Sequence, residues 1–399
     1  MHWQLLNASK VILYYQRYRE YNGLTEIGRL HMEKPTFQPL GTHVMELDTP
    51  ALVLDMEALD FNINQMSSMI GHGDVGIRSH VSTYGCPAIA HLYADKFPGN
   101  CGIAVSTIGE CEVFANSGFP DILITNQVIT KSKILRLCSV AVNHSVQVLV
   151  DSPQNARDLS GVAVNSAVTI GCKIEIDVGL GRGGLSDTRE IRELANLILG
   201  LDNLELTGMT ANFLPLHVSS ISTEHDIATL LSVFIDTVKQ AVDMDAKDGF
   251  LSVRSTEGFL DILGASEISE IQIDTVPLMD HKSLQVNPQF KPSVKVLCSV
   301  LSQPIPSRVV VDAGHKTTGP DIGLPVVDGL NGIEAVKFSA EHGALEVDEN
   351  SAQVLSPNDK VWLIPFDLSL CTNQFDYFRV VRKDVLGGLW PISSRGLFG

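Results

Sequence analysis

Ten consecutive residues, Arg78-Ser79-His80-Val81-Ser82-Thr83-Tyr84-Gly85-Cys86-Pro87, bring a guanidinium, an imidazole, hydroxyls, a phenol and a thiol into one short stretch. Arg78 offers a planar cation to a carboxylate or oxyanion. His80 and Tyr84 can move a proton, and Ser82 can donate a hydrogen bond or attack as a nucleophile. A second group, Asp177-Val178-Gly179 leading to Gly181-Arg182, sets a carboxylate and a guanidinium on a stretch that glycine allows to turn tightly; His217 follows further on. Asp312, His315 and Asp367 are the weaker candidates for holding a cation, with oxygen donors that suit a hard ion better than zinc. Each has a plainer reading: Arg182 with Asp177 as an ion pair closing the fold, Ser82 as a space-filler, His217 as an incidental loop residue.

Such side chains need a scaffold. From residue 75 onward, β-branched runs recur roughly every 25 residues, each ending in polar or glycine residues and followed by a helix-like stretch. They are Val75–Val81, Cys101–Thr107, Asp121–Gln127, Val146–Ser152, Val168–Asp177, Leu204–Ala211, Phe250–Thr256 and Glu270–Thr275. This rhythm predicts a (β/α)8 barrel. Ile108–Asn116, Gln154–Leu159, Thr188–Ile198 and Thr223–Val242 fit as outer helices, with apolar residues at helical spacing. After about residue 290 the segments Ser293–Leu301, Arg308–Val311 and Asp359–Ile364 alternate as strands do, and Thr49–Asp55 is strand-like too. The expected organisation is an α/β chain with a helical N-terminal extension over 1–44, a barrel over 60–285, and a β-domain built from 45–59 plus 286–399.

Composition narrows the function classes. The 399 residues are 44% hydrophobic, enough for a barrel and a smaller domain each to bury a core. Lys and Arg total 29 against 46 for Asp and Glu, a net charge of −17, which disfavours nucleic acid and anionic membrane as partners. Cysteines 86, 101, 111, 138, 172, 298 and 371 show no paired spacing, which suits a reducing, cytoplasmic setting. Lys10, Arg17 and Arg19 interrupt the apolar N-terminal pieces, so that segment reads as an amphipathic helix and a linker through Pro35 and Pro39, a packing arm rather than a signal or a span.

A barrel followed by a β-domain, opening on Thr49-Pro50-Ala51-Leu52-Val53-Leu54-Asp55, resembles the D-threonine aldolase and eukaryotic D-serine dehydratase family of fold-type III pyridoxal-phosphate enzymes. The resemblance runs from about residue 47 to the C-terminus. It is carried by Thr107-Ile108-Gly109-Glu110 with Glu112, Asp121-Ile122-Leu123-Ile124-Thr125-Asn126-Gln127, Asp177-Val178-Gly179, Asp312-Ala313-Gly314, Glu341-His342-Gly343 and Trp390-Pro391-Ile392. It implies lyase chemistry on D-amino acids with a β-hydroxyl group, through an imine between a lysine and pyridoxal phosphate, with zinc as the second cofactor and dimers as the common assembly.

The chain departs from that pattern where the chemistry is done. The family lysine stretch reads Arg-Pro-His-Val-Lys-Thr-His-Lys-Cys-Pro, so Ser82 stands where the lysine belongs and Gly85 replaces the next one, with Arg78, His80, Thr83, Cys86 and Pro87 fixing the register. The Gly-rich phosphate loop after the seventh strand becomes Val253-Arg254-Ser255-Thr256-Glu257-Gly258, the zinc pattern Pro-Asn-His-x-Cys becomes Pro365-Phe366-Asp367-Leu368-Ser369, and a polar pocket segment becomes Thr210-Ala211-Asn212-Phe213-Leu214-Pro215. The expectation is a protein that uses neither pyridoxal phosphate nor zinc. Its first reading is a cofactor-independent lyase, isomerase or cyclase acting on a small, partly hydrophobic metabolite, with Arg78, His80, Ser82, Tyr84, Asp177, Arg182 and His217 lining the pocket. The alternatives are a non-catalytic subunit, as a homodimer or paired with a related active chain, and a residual pyridoxal-phosphate lyase that uses another lysine, with Lys316 the nearest.

Overall fold

The computed structural model describes residues 38–71, 75–97, 102–213, 227–241, 251–255, 259–320, 322–349, 351 and 354–399. The proposed N-terminal helix, His217, Leu214, Pro215, Glu257 and Cys101 lie outside the described residues. Eight parallel strands close a barrel: β2 (Gly76–His80), β3 (Ile103–Val105), β4 (Asp121–Gln127), β5 (Ser145–Val150), β6 (Ile170–Ile176), β7 (Leu204–Asn212), β8 (Leu251–Arg254) and β9 (Glu270–Ile273). Each of the eight sequence-derived runs overlaps one of these strands; Asp121–Gln127 matches β4 in full, β5 begins one residue before its run and β7 ends one residue after.

Helices α1 (Met56–Ile70), α2 (Pro87–Lys96), α3 (Ile108–Asn116), α4 (Lys131–Ala141), α5 (Pro153–Ser166), α6 (Thr188–Gly200) and α7 (Ile227–Ala241) are interleaved with the strands. In α6, Asp187 caps the first turn through the amides of Arg189 and Glu190, and Ile191, Leu194, Ala195 and Ile198 are buried at the 3–4 spacing of one face. Each fully buried Leu or Ile of that kind contributes about 1.5–3 kcal/mol. The sequence reading passed over α2 and α4, and α2 starts on Pro87 at a position where a missing N–H costs nothing.

Alternation along the strands divides the barrel interior. On β6, Ile170, Cys172, Ile174 and Ile176 join the large core, while Lys173 and Glu175, also buried, reach polar partners on other strands. Ala104, Leu123 and Leu149 form a separate apolar cluster inside the arc of β3, β4 and β5. The rest of the interior is polar.

The short helix α8 (Phe259–Ile262) lies between β8 and β9, and α9 (His281–Val286) follows the last barrel strand. The chain then forms β10 (Val294–Ile305), β11 (Arg308–Val311), α10 (His315–Thr318), β12 (Val326–Asp328), β13 (Ile333–Phe338), β14 (Gly343–Val347), β15 (Lys360–Ile364), α11 (Leu368–Thr372), β16 (Tyr377–Arg382) and β17 (Val385–Pro391). Their sheet runs β13-β14-β11-β10-β1-β16-β17, with β15 paired to β10 and β12. Strand β1 (Ala51–Asp55) enters this sheet antiparallel to β10 and parallel to β16. Its last residue, Asp55, caps α1 and so ties the sheet to the barrel's outer layer. No helix among the described residues is long and apolar enough to cross a membrane.

Candidate functional site at the barrel mouth

The C-terminal ends of β4, β5, β6, β7, β8 and β9 surround a small cleft with a volume of about 10 Å³, room for about one water among the described residues. Thr125, Leu149, Glu175, Arg182, Thr210, Ala211, Asn212, Arg254 and Gln272 line it, and no lysine is among them. Charges in the wall are paired: Arg254 Nη2 donates to Asp274 Oδ2 at 2.9 Å, and Arg182 Nη2 lies 3.5 Å from Glu175 Oε1. Glu175 Oε2 also accepts from Gln127 Nε2 at 2.6 Å, and the same amide reaches Asp151 at 3.0 Å. Burial alone would raise the Asp274 pKa, yet the neighbouring Arg254 and His80 hold it below the usual aspartate value.

Among the described sequence candidates, Arg182 alone lines this cleft. It does not pair with Asp177 as expected. Asp177 instead accepts from the backbone amides of Gly179, Leu180 and Gly181, because a short carboxylate at a strand end satisfies the loop's own N–H groups better than a side chain farther along. Leu185 and Gly184 then fold back onto Glu175, Asp177 and Asp151, so the glycine-rich loop that carries Arg182 is anchored at both ends.

Arg78 is set apart from the cleft. It is 2% exposed, its Nε donates to Glu270 at 2.9 Å and its Nη1 to Asp121 at 2.7 Å. Those carboxylates are the first residues of β9 and β4, which puts the guanidinium toward the opposite end of the barrel. An anion-binding role at the mouth is therefore corrected to a cross-strand tie. Lys173 approaches the same Glu270 at 3.9 Å. Burial works to raise the Glu270 pKa, but Arg78 and Lys173 together keep it below the ordinary glutamate value.

His80 is fully buried just under the mouth, with Nε2 2.8 Å from Thr125 Oγ1. Since that hydroxyl donates to Val105 O, His80 Nε2 carries the proton and Nδ1 is left as an acceptor without a partner among the described residues. Burial, followed by the nearby Arg254, keeps the imidazole pKa well below 6.5, hence neutral. Tyr84 is also fully buried, its hydroxyl 2.8 Å from Ser79 Oγ, and burial pushes its pKa far up. Those values leave Tyr84 no acid–base role near neutral pH.

Ser82 sits in a short turn after β2 and its hydroxyl is committed. It donates to Glu110 Oε2 at 2.7 Å and accepts from Ser106 N at 3.0 Å. Glu110 belongs to the capping box that starts α3 with Thr107, and burial raises its pKa. Three residues on, Gly85 has φ +57, and a Cβ there would lie 2.8 Å from Ser394 Oγ and 3.0 Å from Ile392 Cγ2. The C-terminal segment packs against this turn, with Ser394 N donating to Gly85 O. A larger side chain at position 85 meets both strain and collision.

The cation candidates are not gathered either. Asp312 accepts from Thr49 Oγ1 and Ser299 N, which fastens β10 and the start of β1. His315 Nδ1 contacts Gly319 O. Asp367 caps α11 through Leu370 N, accepts from Ser369 Oγ and lies 3.3 Å from the Lys282 ammonium. Segment 368–372 is helical, and Cys371 is buried with its thiol on Thr317 O. Among the described residues no group of three or more His, Cys, Asp or Glu side chains is placed to hold a metal ion. Of the residues behind the expected apolar pocket, Phe213 is buried and meets Phe234 of α7 edge-on, while Leu214 and Pro215 lie outside the described residues.

Comparison with known proteins places this architecture. The alanine racemase N-terminal domain matches residues 54–272, and a putative serine dehydratase domain matches residues 293–381. A 3-hydroxy-D-aspartate aldolase of Paracoccus denitrificans is 30% identical over 371 residues, covering 89% of this chain and 94% of that protein. The chain belongs to the D-threonine aldolase and D-serine dehydratase family of fold-type III pyridoxal-phosphate proteins. A D-threonine aldolase of Arthrobacter sp is 29% identical, covering 91% of this chain and 96% of its own length. The crystal structure of D-threonine aldolase from Filomicrobium marinum superposes with a TM-score of 0.82 at 26% identity, over 91% of this chain and 100% of that one.

The family's cofactor meets a poor match here. The hydroxyl at position 82 cannot form an imine and is already bonded to Glu110, and an Arg254–Asp274 pair stands where the seventh and eighth barrel strands end. The sequence reading missed Glu175, Asp274, Gln272 and Lys173. A polar residue at every second position of an otherwise apolar strand, as in Ile-Gly-Cys-Lys-Ile-Glu-Ile, was the available signal.

Proposed function

We propose that this chain keeps the family scaffold without its lysine-linked pyridoxal phosphate or its zinc, and that the barrel mouth binds a small polar metabolite. The Ser82–Glu110 contact carries this reading, since it puts a hydrogen-bonded hydroxyl where the family chemistry requires an amine. Two buried polar atoms beside the cleft, Arg254 Nε and His80 Nδ1, have no partner among the described residues, which supports a ligand that supplies an acceptor and a donor. Charged and amide side chains supply the polar contacts of the wall, and Leu149 and Ala211 supply apolar surface beside them. Lys316 serves the alternative lysine reading badly: it is exposed and paired with Glu341 on the β-domain.

Catalysis without a cofactor, as a lyase, isomerase or cyclase, is the second reading. Glu175 at the cleft wall and the neutral imidazole beneath it favour that, as a base and a proton relay. The purely binding reading is favoured by the ion pairs that occupy most of the charged groups, and pairing with a second copy or a related active chain belongs to it. Adding pyridoxal phosphate to the purified full chain tests the common core. The expected result is no visible imine band, and a band at one equivalent would overturn the proposal. A thermal-shift screen of small polar metabolites against wild type and Arg182→Ala then separates a ligand-binding cleft, whose shift the variant loses, from an inert one.

A further inference from the structure

In (β/α)8 barrels the loops after the seventh and eighth strands commonly bind a phosphate group, because backbone amides converge there. In this chain β8 and β9 are those strands, and they end on Arg254 and lead into Asp274. The two side chains meet at 2.9 Å with exposures of 15% and 9%. Asp274 also accepts from the amide of Thr275, so one of its own loop's N–H groups is turned to an internal carboxylate. The buried Nε–H of Arg254 has no partner among the described residues. The remaining charges around the cleft, Arg182 and Glu175, cancel as well, and His80 is neutral.

We propose that Asp274 acts as a built-in anion that occupies Arg254 and closes the phosphate locus, making the cleft selective for phosphate-free ligands that offer one oxygen acceptor to Arg254 Nε. A dianion brought to this place would face the Asp274 carboxylate at short range in a partly desolvated wall, where like charges repel strongly. A neutral or zwitterionic molecule escapes that repulsion. The inference rests on the reading that the mouth is a ligand site, and it deepens that reading by naming what the site refuses and which residue refuses it.

The test uses the full-length chain and inorganic phosphate, which has no aldehyde and so reports on the locus independently of any lysine. Wild type is expected to show no saturable phosphate binding by calorimetry. Asp274→Asn is expected to gain it, with at least a tenfold rise in affinity, and Asp274→Asn combined with Arg254→Gln is expected to lose it again. Asp274→Ser, measured the same way, serves if the asparagine variant does not fold. Phosphate binding by wild type equal to that of the variants overturns the proposal, and so does a folded Asp274 variant that gains nothing. Imine formation by wild type with pyridoxal phosphate would instead sink the broader functional reading while phosphate calorimetry still judged this one.

Discussion

Two arginines on the inner face of the same barrel have opposite fates. Arg78 lies toward the N-terminal end, 2% exposed, and spends its guanidinium on Glu270 and Asp121 from strands on either side. Arg254 lies at the C-terminal mouth, 15% exposed, and among the described residues it pairs with Asp274 and keeps a buried N–H without a partner. The difference teaches where structure ends and recognition begins in this fold: cations below the mouth are fully matched by protein carboxylates, whereas those at the mouth are matched incompletely.

The comparison can be broken most forcefully at the lower end. Arg78→Met strips buried Glu270 and part-exposed Asp121 of their main partner and is expected to cost about 3–5 kcal/mol of stability, read by urea unfolding; a loss under about 1 kcal/mol would mean that the network is incidental. Ser82→Ala comes next. It removes a donor from buried Glu110 while Ser106 N retains that carboxylate, so about 1–2 kcal/mol is expected.

The pH dependence sharpens the picture of the middle of the barrel. Because folded His80 has a pKa below 6.5, the unfolded chain takes up a proton first. His80 thus contributes stability above pH 6.5 that is lost as pH falls toward the folded value, at up to ~1.4 kcal/mol per pH unit. Unfolding free energies of wild type and His80→Gln measured from pH 7 down to 5 should converge; parallel curves would contradict the burial argument. Arg182→Ala, at a half-exposed and loosely paired residue, is expected to change stability by less than about 1 kcal/mol while abolishing ligand response at the cleft.

Much of this fold was legible because the barrel strands are short β-branched runs with polar ends, and all eight were found. Strand ends were less so: Cys101–Thr107 shrinks to Ile103–Val105 because pairing to neighbouring strands, not propensity, decides where a ladder stops. The site was legible only in part. Position 82 was readable as an amine lost, yet the roles of Arg78 and Tyr84 were misjudged, since sequence places a residue on a strand without telling at which depth of the barrel it lies. Asp274 carried no motif at all, and its importance comes from a neighbour twenty residues earlier on the adjacent strand.

The most direct test of the central claim is borohydride reduction of the full-length chain with saturating pyridoxal phosphate, followed by peptide mapping in a mass spectrometer. The account predicts no lysine modified at one equivalent. Stoichiometric pyridoxyl labelling of a single lysine, whether Lys173, Lys282 or Lys316, would contradict it.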